Sequence, residues 1–493
     1  MILRNKIELK NLKKKNYNKV IGLCHGVFDI LHSGHIEHFK DVKKKCDILV
    51  VSITDDKFVK KGPYQPYNSS LNRAKVLQAL KFIDYIYINQ DLTPIHLIHA
   101  LKPNFYFKGQ DYLKPDLTGN LKKESLAVKK NKGKVFFTKT KVLSSTKILN
   151  NQLIFWSKEQ KNFLIKLRSK NLFDYIVLQF EKIKNIKLNI IGEPILDNYI
   201  YSKIIGLASK DPALSGIITN RELILGGVFP VAQIASSFVD NVNLYTYGDN
   251  KLIKPYLNQN IKFTNLDSEQ DIQKKTRYIN NHRYQKIFQL TNIEKNSFSL
   301  KQKNKIKNIL QKKALMNNSI ICDFGLGLFE DSIVELINYS KNYKYLNVQT
   351  NSINFGFNLF TKFKKNSSIK YISLDEKEWK LGTKSHIANY STIKKFINAE
   401  TCISITQGKG GSLYYNKYKA FYSPVFIDKV VDTTGCGDAY FVITSLLNIV
   451  GTKPELIPFL GNVYAGMHAL NLANKNLPEK VDYIKYTKSL LNF

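Results

Sequence analysis

The chain has 493 residues, enough for two or three domains, and 43% are hydrophobic, as in an ordinary globular protein. Its formal net charge is +36, from 75 Lys+Arg against 39 Asp+Glu, yet only six cations are arginines and the lysines are scattered, so the charge describes a solvated surface attractive to anionic sugar phosphates and nucleotides rather than a specific nucleic-acid site. No run of about 18 apolar residues predicts a membrane span, the N-terminus has no apolar leader, and Cys24, Cys46, Cys322, Cys402 and Cys436 lack CxxC spacing, which predicts a reducing, cytoplasmic setting without disulfides or zinc.

In chain order, the first strong element is a buried strand at residues 20–24. It runs into Gly26-Val27-Phe28-Asp29-Ile30-Leu31-His32-Ser33-Gly34-His35, and a helix is expected over residues 36–45. Four of the nine histidines (His25, His32, His35, His38) fall in this stretch. The end of a parallel strand, opening into a helix, is where doubly wound sheets bind ligands, and free N–H groups there favour phosphate. His32 and His35, with Gly34 permitting close approach, can donate to a phosphate chain. Further strands are expected at residues 48–53, 85–88, 105–107 and 135–137 with helices between them, which predicts a parallel sheet flanked by helices. Residues 151–185 read as a helical connector. A second α/β alternation opens at residues 187–192 and continues through strands at 320–324, 345–349, 371–374 and 402–406. The expected architecture is two doubly wound α/β domains, 1–150 and 186–493.

The residues from Gly26 to His35 resemble the GxFDxxHxGH signature of the cytidylyltransferase-like nucleotidyltransferases, a Rossmann-like fold. Class I aminoacyl-tRNA synthetases share a related HxGH, but their KMSKS loop is not in this sequence. The resemblance implies His32 and His35 as catalytic, with Gly26 and Phe28 at the nucleotide. It further implies nucleotide contacts from Arg73, which follows Lys60-Lys61-Gly62-Pro63, from Lys108 in a KGQDY segment similar to VKGxDY, and from Ser144, Ser145 and Thr146 at a helix start. The spacing over residues 20–150 resembles the transferase half of the bifunctional heptose-phosphate kinase/ADP-heptose synthases more than the glycerol-3-phosphate cytidylyltransferases.

Asp432-Thr433-Thr434-Gly435-Cys436-Gly437-Asp438 resembles the DTxGAGD signature of the PfkB, or ribokinase-like, sugar kinases. In that family the glycine turn, here Gly435, Cys436 and Gly437, forms an anion hole at a helix N-terminus, and Asp438 would be the base that takes the sugar hydroxyl proton. Asp197, in a segment similar to GDxxxD with Glu193 at the first acidic position, would accept from sugar hydroxyls, beside Gly226 and Gly227. Thr406, Gly408 and Gly411 resemble the TxGxxG that lines ATP, and Glu378 resembles the metal-supporting acid of NxxE, with Asp375 in place of its asparagine. Residues 199–225 are β-rich and resemble the lid through which many members dimerise. One departure stands out: Pro230 occupies the position of the substrate-binding asparagine.

The sequence therefore predicts a nucleotidyltransferase followed by a sugar kinase with a small β lid, the reverse of the module order in the bifunctional heptose enzymes. The expected substrates are a sugar phosphate and ATP, or CTP in the first domain, with Mg²⁺, and the product is an ADP-heptose-like activated sugar. A homodimer would form through the lid. The alternative is a CDP-polyol- or CDP-sugar-forming cytidylyltransferase fused to a degenerate kinase-like binding domain.

Overall fold

The computed structural model describes residues 1–3, 5–59, 66–109, 120–138, 156–168, 172–282, 285–292, 298–351, 354–363, 368–386, 390–396, 398, 400–427 and 430–491. It divides into two compact units, Met1–Lys170 with Val481–Phe493, and Asn171–Lys480. The division falls inside the expected connector, and the end of the chain groups with the first unit instead of the second.

Six parallel strands build the sheet of the first unit: β1 (Ile2–Leu3), β2 (Ile21–Gly26), β3 (Ile48–Thr54), β4 (Tyr85–Asn89), β5 (Phe105–Gly109) and β6 (Lys134–Thr138), in the order β1-β4-β3-β2-β5-β6. Both faces are buried, so alternate residues of one strand feed different cores. Ile48 and Val50 pack with Leu9, Leu12, Ile98 and Val128, whereas Leu49, Val51 and Ile53 pack with Phe39, Val42, Ala74 and Leu77. The chain leaves β2 with β3 on one side and β5 on the other. This is the topological switch point, and the helix Ser33–Lys43 opens there. Strand β1, which the sequence reading passed over, extends the sheet beside β4.

The strands of the second unit are β7 (Lys187–Gly192), β8 (Pro194–Leu207), β9 (Leu214–Gly227), β10 (Asn241–Thr246), β11 (Ile261–Asn265), β12 (Gln273–Asn280), β13 (Gln285–Thr291), β14 (Ser319–Asp323), β15 (Lys344–Val348), β16 (Ile369–Asp375), β17 (Cys402–Thr406), β18 (Ser412–Tyr415) and β19 (Ala420–Ser423). Nine of them form one sheet in the order β11-β10-β7-β14-β15-β16-β17-β18-β19, parallel up to β17 and antiparallel beyond it. A separate four-stranded sheet, β13-β12-β8-β9, is the lid. Residues 199–225 were expected as a β-rich lid and lie within the pair β8–β9, whose partners β12 and β13 were not foreseen. Their sequence, QKKTRYIN and QKIFQLT, is too polar to announce itself as sheet. The helix Cys436–Ile449 starts at Gly435 and is buried along most of its length.

Candidate functional sites

In the first unit, β2 ends at Gly26, where a Cβ would meet the Phe28 ring at 3.0 Å. Phe28 itself bends the chain with φ of +51°, an uncommon conformation for a large side chain. It places its ring edge-on to His35 at 5.5 Å between centroids. His32 is the N-cap of the helix Ser33–Lys43 and makes no side-chain capping bond, so the helix end stays open. The His32 and His35 rings stack with centroids 3.8 Å apart. Both ring nitrogens of His32 are buried without a hydrogen-bond partner among the described residues, and burial holds its pKa below the ordinary value. Stacked imidazoles beside a helix end without a side-chain cap suit an arriving phosphate chain.

Arg73 and Lys108, expected to contact the nucleotide, both have head groups engaged by protein partners. Arg73 is buried, and its guanidinium donates to Asn68 O at 3.0 Å, Val27 O at 2.5 Å, Thr54 O at 2.9 Å and Asp56 Oδ1 at 2.5 Å. It ties the histidine-bearing loop to the end of β3. Lys108 is also buried and pairs with Glu124 at 3.2 Å, while the Tyr106 hydroxyl donates to the same carboxylate at 2.8 Å. Their charges hold the scaffold together. Asp29, which the sequence reading quoted without a role, accepts from the N–H groups of Tyr67 at 2.6 Å and Asn68 at 2.8 Å, and so anchors the entry to the helix Ser70–Gln78. His38 is structural, bridging Thr138 at 2.7 Å and the Cys24 thiol at 3.5 Å. Ser144, Ser145 and Thr146, with Lys60–Pro63 and Gln110–Tyr112, lie outside the described residues.

In the second unit, Gly435 has φ of +81°, and a Cβ would meet Asn474 Oδ1 at 2.3 Å and His468 Nε2 at 2.9 Å. No side chain caps the helix that follows; the Cys436 N–H donates to Thr433 O at 3.1 Å, and the Gly437 N–H is the next at the helix start. His468, unsuspected from sequence, donates from Nε2 to Thr434 O at 3.1 Å and steadies this turn. Asp438 lies in the first helical turn and accepts from Gln349 Nε2 at 2.6 Å. Burial raises its pKa from 3.8 to about 7, with the Gln349 hydrogen bond and Lys275 opposing and Asp197 adding to the rise. A base poised near neutrality is suited to accept a hydroxyl proton. Asp432 accepts from Lys286 of the lid at 2.8 Å; burial would raise its pKa, but Lys286 and Thr434 outweigh it and hold the carboxyl below its ordinary value.

Asp197 is buried at the root of the lid and ion-paired with Arg277 of β12. Gly226 is needed beside it, since a Cβ there would lie 2.4 Å from Asp197 Oδ2. Gly227 has φ of +64° and opens the helix Val228–Phe238, in which Pro230 is buried. Glu193 has a structural duty: its carboxylate accepts from the N–H groups of Phe324, Leu326 and Leu328 at 2.8 to 3.0 Å, and burial beside Asp323 pushes its pKa up. Glu378 forms a capping box with Asp375 and accepts from Thr350 N at 3.1 Å. Burial, with Asp375 adding to it, pushes its pKa to about 8. Thr406 ends β17 opposite Asp375, and the turn after it uses Gly408 (φ +55°) and Gly411 (φ +88°), where a Cβ would meet Ser423 O at 2.2 Å. Among the described residues no three His, Cys, Asp or Glu side chains converge as a ready metal cluster, and no helix is long and apolar enough to cross a membrane. All five cysteines are unpaired.

Comparison with known proteins agrees with this division. Residues 23–151 match the Cytidylyltransferase-like family and residues 258–448 the pfkB family of carbohydrate kinases. The chain thus joins a cytidylyltransferase-like domain to a carbohydrate kinase domain. Its N-terminal region is similar to the "Bifunctional protein HldE" of Campylobacter jejuni (strain RM1221), 41% identical over 112 residues, which is 22% of this chain and 24% of that protein. The corresponding protein of Helicobacter pylori (strain J99) is 38% identical over 123 residues, 24% of this chain and 26% of its own length. The similarity therefore spans about a quarter of these curated relatives. Among solved structures, a ribokinase from Thermotoga maritima (16% identity, TM-score 0.47) and phosphofructokinase-2 from Escherichia coli (10%, TM-score 0.48) each align with 62% of this chain and 99% of their own.

Proposed function

We propose that the protein is a cytoplasmic two-site enzyme that phosphorylates a sugar phosphate in its second unit and converts a sugar 1-phosphate to an ADP-heptose-like nucleotide sugar in its first. The observation that carries this reading is the pair of open helix N-termini, each following its own α/β sheet or glycine turn. One is furnished with the stacked His32 and His35, the other with Asp438 at a pKa of about 7. In the first unit the sugar 1-phosphate would attack the α-phosphorus in line. The two histidines would steady the charge as pyrophosphate departs, with Gly26 and Phe28 shaping the nucleotide side and Ser144, Ser145 and Thr146 adding phosphate contacts. Arg73 and Lys108 position that loop from beneath. In the second unit Asp438 would take the hydroxyl proton, Gly435–Gly437 would receive the transferred phosphoryl group, and Thr406, Gly408 and Gly411 would line ATP.

Glu378 lies close enough to Asp438 to feel its charge, but both its oxygens accept backbone N–H groups, from Thr350 and Asp375, so as the metal residue it would have to exchange one of those bonds and lose its proton to meet Mg²⁺. With no preformed cluster among the described residues, the ion would be held chiefly by the nucleotide phosphates. When bound it would neutralise developing phosphate charge. We assign residues 1–150 to the transferase, 186–493 to the kinase and 151–185 to the connection, although Val481–Phe493 groups with the first unit. Exposed apolar residues on the lid hairpin, including Ile205, Leu207, Leu214 and Ile217, support a homodimer through that surface.

A second reading is favoured by a specific pair of observations. Pro230 removes a hydrogen-bonding side chain, and Arg277 already occupies Asp197. Under it, the second unit is a binding domain and the first a CTP-dependent transferase. Incubating the protein with each nucleoside triphosphate and a panel of sugars and sugar phosphates, and weighing the products, separates the two. The two-site reading expects both a newly phosphorylated sugar and a nucleotide sugar. A nucleotide sugar or polyol alone, from CTP, would replace it with the second reading.

A further inference from the structure

Strand β12 brings a second cation beside Asp197. Gln273, Arg277 and Ile279 are buried, and the alternation of a strand puts Lys275 on their face. Lys275 stands in register opposite Asp197 of β8. Arg277 satisfies that carboxylate, so the Lys275 ammonium is left without a side-chain hydrogen bond or ion pair among the described residues. It is close enough to Asp197, Asp438 and Glu193 to feel their charges, while burial draws its own pKa below the ordinary lysine value. A half-enclosed ammonium with no partner works against folding. Such a group is explained when an anion arrives to meet it.

The position of Lys275 says which anion. A phosphate at the far end of a sugar would lie away from Asp438, because Asp438 marks the hydroxyl that reacts. The group that must come to rest between Asp438 and the N–H groups of Gly435–Gly437 is the phosphoryl group in transit. We propose that Lys275 is a catalytic cation, carried by the lid, that contacts the phosphoryl group as it passes from ATP to the acceptor. In the step it serves, the acceptor oxygen forms a bond to the γ-phosphorus and the bond from that phosphorus to the β–γ bridging oxygen breaks. The hydroxyl proton goes to Asp438, ADP leaves with the bond's electron pair, and Lys275 stays protonated throughout. Because the cation rides on the lid, an open lid leaves the γ-phosphoryl group without it, which disfavours transfer to water.

This inference rests on the kinase reading above, and its test separates the two. Lys275→Met keeps length and removes charge. The ADP-forming kcat should fall by ~10²–10³-fold, the usual effect of deleting one charge-stabilising donor. The sugar KM and the ATP dissociation constant should stay within about threefold, and the melting temperature should hold or rise. Lys275→Arg, with the charge restored, should recover at least about tenfold of the loss. An active wild type beside a Lys275→Met variant of unchanged kcat overturns the role of the lysine alone. So does a variant altered only in KM for a phosphorylated sugar, since the lysine would then bind the substrate's own phosphate. A wild type that phosphorylates no sugar overturns the kinase reading, and this inference with it.

Discussion

Replacing Asp438 by Asn should remove kinase turnover and at the same time make the second unit harder to unfold at alkaline pH. The carboxyl has its pKa raised from 3.8 to about 7, so the folded protein binds this proton more tightly than the unfolded chain does. Above pH 7 the folded state carries the full penalty of a desolvated carboxylate, and the penalty fades as pH falls toward 4. A shift of about three units corresponds to a ceiling of ~4 kcal/mol. The variant also loses the attraction between Asp438 and Lys275, and solvent screens part of the rest, so a gain of ~1–2 kcal/mol at pH 8 is expected. For a unit of this size that is a rise of ~2–5 °C in melting temperature, shrinking between pH 7 and pH 4. Thermal unfolding of the full chain at pH 8 and pH 5, beside a coupled ADP assay, measures both effects. Wild-type turnover should show an acid limb near pH 7, and the variant should lose at least ~10²-fold. A variant that melts no higher than wild type at pH 8 and retains turnover would refute both the burial argument and the assignment of the base.

Arg73→Lys should destabilise the first unit by ~2–4 kcal/mol, because one ammonium cannot serve Asn68, Val27, Thr54 and Asp56 together. Pyrophosphate release should fall through misplacement of the histidine loop, and an unchanged melting curve would show that the guanidinium holds nothing. Gly435→Ala forces a Cβ toward Asn474 and His468 at a φ of +81°. It should weaken ATP binding by ~5- to 150-fold through ~1–3 kcal/mol of strain, as calorimetry would register. Leu214→Lys with Ile217→Lys places charge on the apolar lid surface and should shift a dimer to monomer in sedimentation, whereas an unchanged mass would move the interface elsewhere.

Much of the fold was legible because buried parallel strands write themselves as short apolar runs. Cys402–Thr406 was read to the residue, and Ile48–Thr54 to within one. The second half of the lid was not legible. β12 and β13 are rich in lysine and glutamine, and they are strands because β8 and each other offer hydrogen bonds. The glycines Gly226, Gly227, Gly411 and Gly435 were read as motif residues, and the fold adds that a Cβ at each would meet a close neighbour. The charged residues were harder. Sequence marks Arg73 and Lys108 as notable, but only the fold shows their head groups turned inward onto Asp56 and Glu124. Lys275 and Arg277 carried no signal among so many cations. They matter because the register of β12 against β8 brings them to Asp197.

The central claim is that His35 and Asp438 serve two separate reactions, and single substitutions assayed for both products test it most directly. His35→Ala should abolish pyrophosphate release from nucleoside triphosphate and sugar 1-phosphate, while ATP-dependent sugar phosphorylation stays within about twofold of wild type. Asp438→Asn should do the reverse. Loss of both activities in either folded variant, or of neither, would contradict an enzyme with two independent sites.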